Sequence, residues 1–151
     1  YDPMKQELFT ASKGAGATLN NRRIRVSRPV NIQGALLGTG FPFREKQHLP
    51  AFQSMFADFF TQAGDIRRAG SAALDLAYVA AGRLDAFWEI GLKPWDMAAG
   101  TLIIREAGGL VGDFSGNERY LETGNIVAGN PKIFADLIRK LQPHLTPDLK
   151  A

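Results

Sequence analysis

The chain has 151 residues, 45% apolar and 22% charged, with a net charge of +3. That length suffices for one domain with its own core, and the composition is that of a soluble globular protein. The charge is too small to imply nucleic-acid binding by itself, and the absence of Cys excludes disulfides, thiolate catalysis and Cys-ligated zinc, as fits a cytosolic protein.

Tyr1-Asp2-Pro3-Met4 reads as the end of a strand entering a turn, so the chain is expected to be a portion of a longer domain. ELFTAS (Glu7–Ser12) alternates as a strand does; KGAGATLNN follows with a Gly-rich turn, a short strand and an Asn-Asn turn; RIRVS (Arg23–Ser27) alternates again. Together they predict an antiparallel meander. ALLGTG (Ala35–Gly40) predicts a buried strand. Phe52, Met55, Phe56, Phe59 and Phe60 recur at helical spacing, and that helix should end near Gly64 as a core stripe. DIRRAG predicts a strand and turn, SAALDLAYVAAG a helix opened by Ser71 and closed by Gly82, and RLDAFWEIG a buried strand. A helix from about Pro94 to Ala107, strands in LVGDF and NIVAGN, and a helix begun at Pro131 complete an α/β or layered α+β domain. The best membrane-span candidate, AALDLAYVAAG, is short and carries Asp75, so no membrane partner is expected.

Glu89 and Asp96 flank a strand-to-helix turn, so both carboxylates can face a cleft at the strand's end. On spacing alone the simpler reading is a helix cap plus a solvated Glu. Gly70-Ser71 opens a helix in the same manner, as a cap or as ligand-facing groups. Asp75, one turn in, reads as solvated or as a partner of the helix dipole. KGAGA lacks the Lys-Ser/Thr of a P-loop and reads as a hairpin turn. Arg22, Arg23, Arg25 and Arg28 form the densest basic patch, a solvated edge strand or a contact for RNA or an acidic partner. Arg67 and Arg68 are candidates for an interface. His48 and His144 sit in unrelated contexts, which argues against a His metal site or a Ser-His-Asp triad.

Four segments in order resemble one family, the inositol monophosphatases: YDPMKQELFTASKGAGATLNN, GSAALDLAYVAAGRLDAFWEIG, KPWDMAAGTLIIREAGG and TGNIVAGNP. The resemblance is closest to bacterial members that also act in ribosomal RNA transcription antitermination. It implies a layered α/β/α/β/α fold and Mg²⁺-dependent hydrolysis of a phosphate monoester, inositol-1-phosphate above all. It implies that Asp96 ligates metal, that Glu89 hydrogen-bonds inositol hydroxyls, and that Gly70, Ser71 and Ala72 form the turn lining the substrate site. Trp95 would pack to fix its turn, and the small residues after Asp96 would leave room for the ligand. Relatives are commonly homodimers. The family's Asp-Pro-x-Asp-Gly-Thr motif and the Glu-Glu pair before it do not occur in this sequence. The remaining metal ligands and the groups that position water are therefore expected in an N-terminal half, and this chain alone is expected to fold poorly and lack useful phosphatase activity. The alternative role is regulatory and non-catalytic, binding antitermination proteins or RNA.

Overall fold

In the computed structural model, which describes residues 1–150, β1 (Phe9–Ser12) pairs antiparallel with β2 (Gly16–Leu19), and β2 with β3 (Arg22–Arg23). Asn20 and Asn21 turn the chain between β2 and β3, both at positive φ (47° and 64°), a conformation Asn tolerates better than most residues. The alternation of RIRVS predicts a strand to Ser27, yet the ladder ends at Arg23. Beyond it the Val26 N–H donates to the Ala107 carbonyl (3.2 Å), so a helix end, not a fourth strand, satisfies this segment.

A second sheet contains β4 (Leu36–Thr39), β5 (Asp65–Arg67), β6 (Ala86–Glu89), β7 (Leu110–Gly112) and β8 (Ile126–Gly129), in the order β5-β4-β6-β8-β7. β4 runs parallel to β5 and β6, while β8 runs antiparallel to β6 and β7. Five α-helices are formed by the described residues: α1 (Leu49–Gln62), α2 (Ala72–Ala80), α3 (Pro94–Glu106), α4 (Tyr120–Thr123) and α5 (Pro131–Leu141). α4 carries no sequence signal strong enough to predict it.

β6 lies between two cores. Phe87 points into one with Leu76, Met97 and Ile104, whereas Ala86 and Trp88 point into the other with Phe52, Phe59 and Ile133. The period of two along a strand puts neighbours on opposite faces, so α2 and α3 cover one face and α1 and α5 the other. Phe9 of β1 and Ala17 of β2 join the α2/α3 core from its far side. The result is sheet, helices, sheet, helices: four successive layers of the alternating sandwich that the family resemblance implies. Of the phenylalanine stripe, Phe52 and Phe59 are buried and Phe56 partly so, but Phe60 is 61% exposed, a correction to the expected core.

Two polar residues hold segments that no ladder reaches. The Glu106 carboxylate accepts the Gly14 and Gly16 N–H groups (both 2.8 Å), which pins the β1–β2 hairpin to the end of α3. Buried Asn130 caps α5 by accepting from the Lys132 and Ile133 N–H groups (2.9 and 3.1 Å). Its amide donates to the Ser27 and Pro29 carbonyls (3.2 and 2.9 Å). Asn130→Ala removes a cap and two partly buried hydrogen bonds, each contributing on the order of 1 kcal/mol. Denaturant unfolding should show a loss of about 2–3 kcal/mol.

Candidate functional site

The C-terminal ends of the parallel strands β4, β5 and β6 lie at one edge of the sheet, where open α/β sheets form crevices. After β5 the chain turns through Gly70 (φ 97°) into α2, and after β6 through Gly91 (φ 76°) into α3. Between these turns opens a cleft of about 200 Å³. Gly70, Ser71, Ala72, Glu89 and Asp96 all line it, so the five site residues expected from sequence come together. Ser71 caps α2, its hydroxyl facing the Leu74 N–H at a long 3.4 Å.

Asp96 sits at the third position of α3, not at its cap. Its carboxylate reaches back to the Lys93 N–H (3.0 Å) and faces Arg44 Nη1 at 3.5 Å. Trp95 is 75% exposed, so it does not pack to fix the turn as expected. The small residues after Asp96 also need a different account. Ala98 and Ala99 are exposed, and Gly100 is buried where an added Cβ would lie 2.6 Å from Leu76 Cβ. Gly100 therefore allows α3 to approach α2; it is not there to make space for a ligand.

Sequence reasoning missed three cleft residues. Asp75, expected to be solvated, is 2% exposed and lines the cleft, as do Arg44 and Arg68. An Asp inside the apolar run AALDLAYVAA was the available signal. Gly40, just after β4, is small for a related reason: a Cβ there would stand 2.1 Å from the Glu89 carboxyl. Glu89 itself is 7% exposed. Burial raises its pKa from the usual 4.5 to about 7, reinforced by the charges of Asp75 and Asp96 and opposed by Arg68 and Arg44. Burial likewise raises Asp75 from 3.8 to about 6 against the pull of Arg68.

These carboxylates are the right kind of donor for a hard cation such as Mg²⁺. Among the described residues, however, no three His, Cys, Asp or Glu converge as a metal site. Asp96 therefore fits as one ligand of an incomplete set. Larger hollows of about 460 and 590 Å³ lie elsewhere. The buried carboxylate of the first, Asp136, is committed to the Ile32 N–H (3.0 Å) and to Arg139. The second has no carboxylate in its lining.

KGAGA is a hairpin turn whose N–H groups are taken by Glu106, so it holds no phosphate loop. The basic patch does not form one strand face. Arg23 donates to the Ala15 carbonyl (2.8 Å) and Arg25 lies by the Glu106 carbonyl (3.5 Å), while all four arginines are exposed. Arg67 pairs with Asp65 (2.7 Å), and Arg68 turns to the cleft, 5.1 Å above the Phe41 ring. Against the expectation that no Ser-His-Asp arrangement forms, His144 joins Ser54 and Asp58, its Nε2 3.1 Å from Asp58 Oδ2 and its Nδ1 2.6 Å from the Ser54 hydroxyl, because α1 packs against the chain after α5; none of the three lines the cleft. No helix is long and apolar enough to cross a membrane.

The sequence profile described as the inositol monophosphatase family matches residues 1–146. A Pseudomonas aeruginosa protein named Nus factor SuhB is 60% identical over 151 residues, covering 99% of this chain and 56% of that protein. The crystal structure of the extragenic suppressor protein suhB from Bartonella henselae superposes with a TM-score of 0.91 at 44% identity, over 96% of this chain and 55% of that one. An inositol monophosphatase from Anabaena superposes at 0.87 and 41% identity, over 95% and 59%. The chain thus spans about half the length of the relatives it matches.

The raised carboxyl of Glu89 ties stability to pH. Below its ordinary value of 4.5 both the folded and unfolded chains carry the proton; between there and about 7 only the folded chain does. Stability should therefore fall as pH rises through that window, by at most about 3 kcal/mol at roughly 1.4 kcal/mol per pH unit. Glu89→Gln should flatten the fall and leave the variant about 1–3 kcal/mol more stable than the parent at pH 8, with the advantage absent below pH 4.5. Denaturant midpoints across pH 4 to 8, a span set by that window, test the sign.

Proposed function

The chain belongs to the inositol monophosphatase family, and from that premise we propose that its cleft serves Mg²⁺-dependent hydrolysis of a phosphate monoester, inositol-1-phosphate being the substrate its residues suit. The observation that carries this reading is the convergence of Gly70, Ser71, Ala72, Glu89 and Asp96 on one cleft. Asp96 holds one side of the ion. The N-terminus of α2, opened by Ser71, favours an anion through its free N–H groups and dipole. Glu89 accepts hydrogen bonds from ring hydroxyls. Bound Mg²⁺ supplies polarisation of the phosphate and activation of water.

On this reading the remaining ligands and the groups that position water belong to sequence outside these 151 residues, since no three-carboxylate cluster forms within the described ones. The whole protein is taken to be a cytoplasmic homodimer, on the family resemblance alone. Relatives named Nus factor SuhB support a second role, in transcription antitermination. The exposed Arg22 and Arg28 are the surface we assign to protein or RNA contacts in that role.

The 151-residue chain alone should release phosphate from inositol-1-phosphate no faster than buffer. In a polypeptide of the relatives' full length that contains these residues, Asp96→Asn should lower Mg²⁺-dependent turnover at least about 100-fold, because losing a direct ligand costs no less than losing the partner behind one. Retained turnover in that variant would remove Asp96 from the metal site. Retained antitermination binding beside lost turnover would separate the two roles. Replacing Arg22 and Arg28 with Gln should weaken RNA or partner binding and shallow its salt dependence.

A further inference from the structure

Asp75 has no place in the site expected from the family resemblance, yet it is among the most deeply buried carboxylates in the chain, at 2% exposure. It lines the same cleft as Glu89, itself 7% exposed. Among the described residues neither side chain has a hydrogen-bond partner; only burial and nearby charges act on them. Among the described residues the fully buried side-chain polar atoms without a partner are Ser27 Oγ and Trp88 Nε1 only, so the unpartnered Asp75 and Glu89 oxygens open to the cleft they line. Two adjacent carboxyls left open toward one small cleft are therefore acceptors prepared for a ligand's donors.

The chemistry of those donors follows from the rest of the lining. Arg44 and Arg68 already bring two positive charges to set against Asp75 and Glu89, and the ion of the phosphatase reading is assigned to Asp96, which leaves the carboxyl pair for neutral donors. No cluster of three metal-ligating groups forms there among the described residues. At about 200 Å³ the cleft is smaller than the roughly 300–1,000 Å³ typical of drug-sized ligands. A small, neutral, hydroxyl-rich ring fits these limits. Its O–H groups donate, and its ring carbons can lie against Leu92, the apolar member of the lining.

We propose that Asp75 is a second polyol-binding residue, which accepts hydrogen bonds from hydroxyls of a cyclic polyol next to those held by Glu89 and so selects substrates with neighbouring hydroxyl groups. This rests on the phosphatase reading, and it extends the substrate contacts from the strand end at Glu89 to the first turn of α2. Gly40 supports it from the other side: with no Cβ, it leaves the Glu89 carboxyl in place beside Asp75.

The test is equilibrium binding to a polypeptide of the relatives' full length that contains these residues, followed by NMR titration. The probes are myo-inositol, cyclohexanol, inorganic phosphate and Mg²⁺. The proteins are the parent, Asp75→Asn, Asp75→Ala and Glu89→Gln, each checked for a cooperative thermal transition. Asp75→Asn keeps the shape and removes a buried charge, so it should fold at least as well as the parent. The parent should bind myo-inositol at least about tenfold more tightly than cyclohexanol, as expected for hydrogen bonds to charged acceptors. Both Asp75 variants should lose most of that preference while cyclohexanol and phosphate binding stay put, an outcome that a merely structural role for Asp75 would not give.

If the Asp75 variants keep the preference and Glu89→Gln loses it, the proposal is overturned and the phosphatase reading stands. The same holds if the parent binds phosphate but shows no preference for inositol. A loss of Mg²⁺ affinity in place of inositol affinity would overturn it in favour of a cation site. If the parent binds neither phosphate nor inositol, both the proposal and the reading beneath it fall.

Discussion

The close approach of α2 and α3 is the constraint on which the cleft depends. Leu76 meets α3 where Gly100 has no side chain, and a Cβ there would sit 2.6 Å from Leu76 Cβ. Interiors pack as densely as organic crystals, so no gap exists to absorb even one added methyl group. This contact sets how far apart the two helices start. Both follow strands that flank β4 and run parallel to it, so their first turns line one cleft at the strands' C-terminal ends. Ser71 and Asp75 arrive from one side, Asp96 from the other, and Glu89 from below. A wider helix pair would leave Glu89 in water and Asp75 without a cleft to line.

The second consequence is electrostatic. β6 is buried along its whole length, which suits Ala86, Phe87 and Trp88 but also carries Glu89 out of water. A strand that ended one residue earlier would leave that carboxyl exposed and ordinary. Burial raises it and Asp75 together, and the like charge of Asp75 further disfavours ionisation of Glu89. The guanidiniums of Arg68 and Arg44 offset part of this. Arg68 is itself steadied over the Phe41 ring, and Arg44 over Phe43 at 4.9 Å. Phe41 and Phe43 are thus the supports on which the two cations rest.

Much of this is legible in the sequence, for reasons that differ by element. Gly and Pro punctuation marks where α2, α3 and α5 begin and end. Alternation marks the meander, where one face is buried, and short apolar runs mark the strands of the large sheet, whose residues face two different cores. The third strand of the meander is shorter than its pattern: Arg23 to Ser27 alternates, but alternation records only which side chains are half-buried, not which backbone accepts the N–H groups. Trp95 misleads because a large aromatic beside a motif residue suggests packing, whereas it lies on the outer face of the first turn of α3. Asp75 escapes notice because an acidic residue near a helix start has an ordinary explanation in the dipole. Only the tertiary contact between α2 and β6 shows that it is out of water, and no local pattern carries that.

A charge count shows how the pieces of the cleft work together. Asp75, Glu89 and Asp96 can carry three negative charges against the two positive charges of Arg44 and Arg68. Near neutral pH the raised Glu89 holds its proton part of the time, so the cleft alternates between about one negative charge and none. A divalent cation alone would leave it positive, and a phosphate dianion alone would leave it strongly negative. On the phosphatase reading, each therefore binds better when the other is present, since Mg²⁺ sites commonly combine one or two carboxylates with substrate phosphate oxygens. The polyol ring, being neutral, does not alter this balance. The carboxyl pair can therefore discriminate among ring hydroxyls without disturbing the charge balance between ion and phosphate, which assigns selection to α2 and the end of β6 and leaves ion binding to the start of α3.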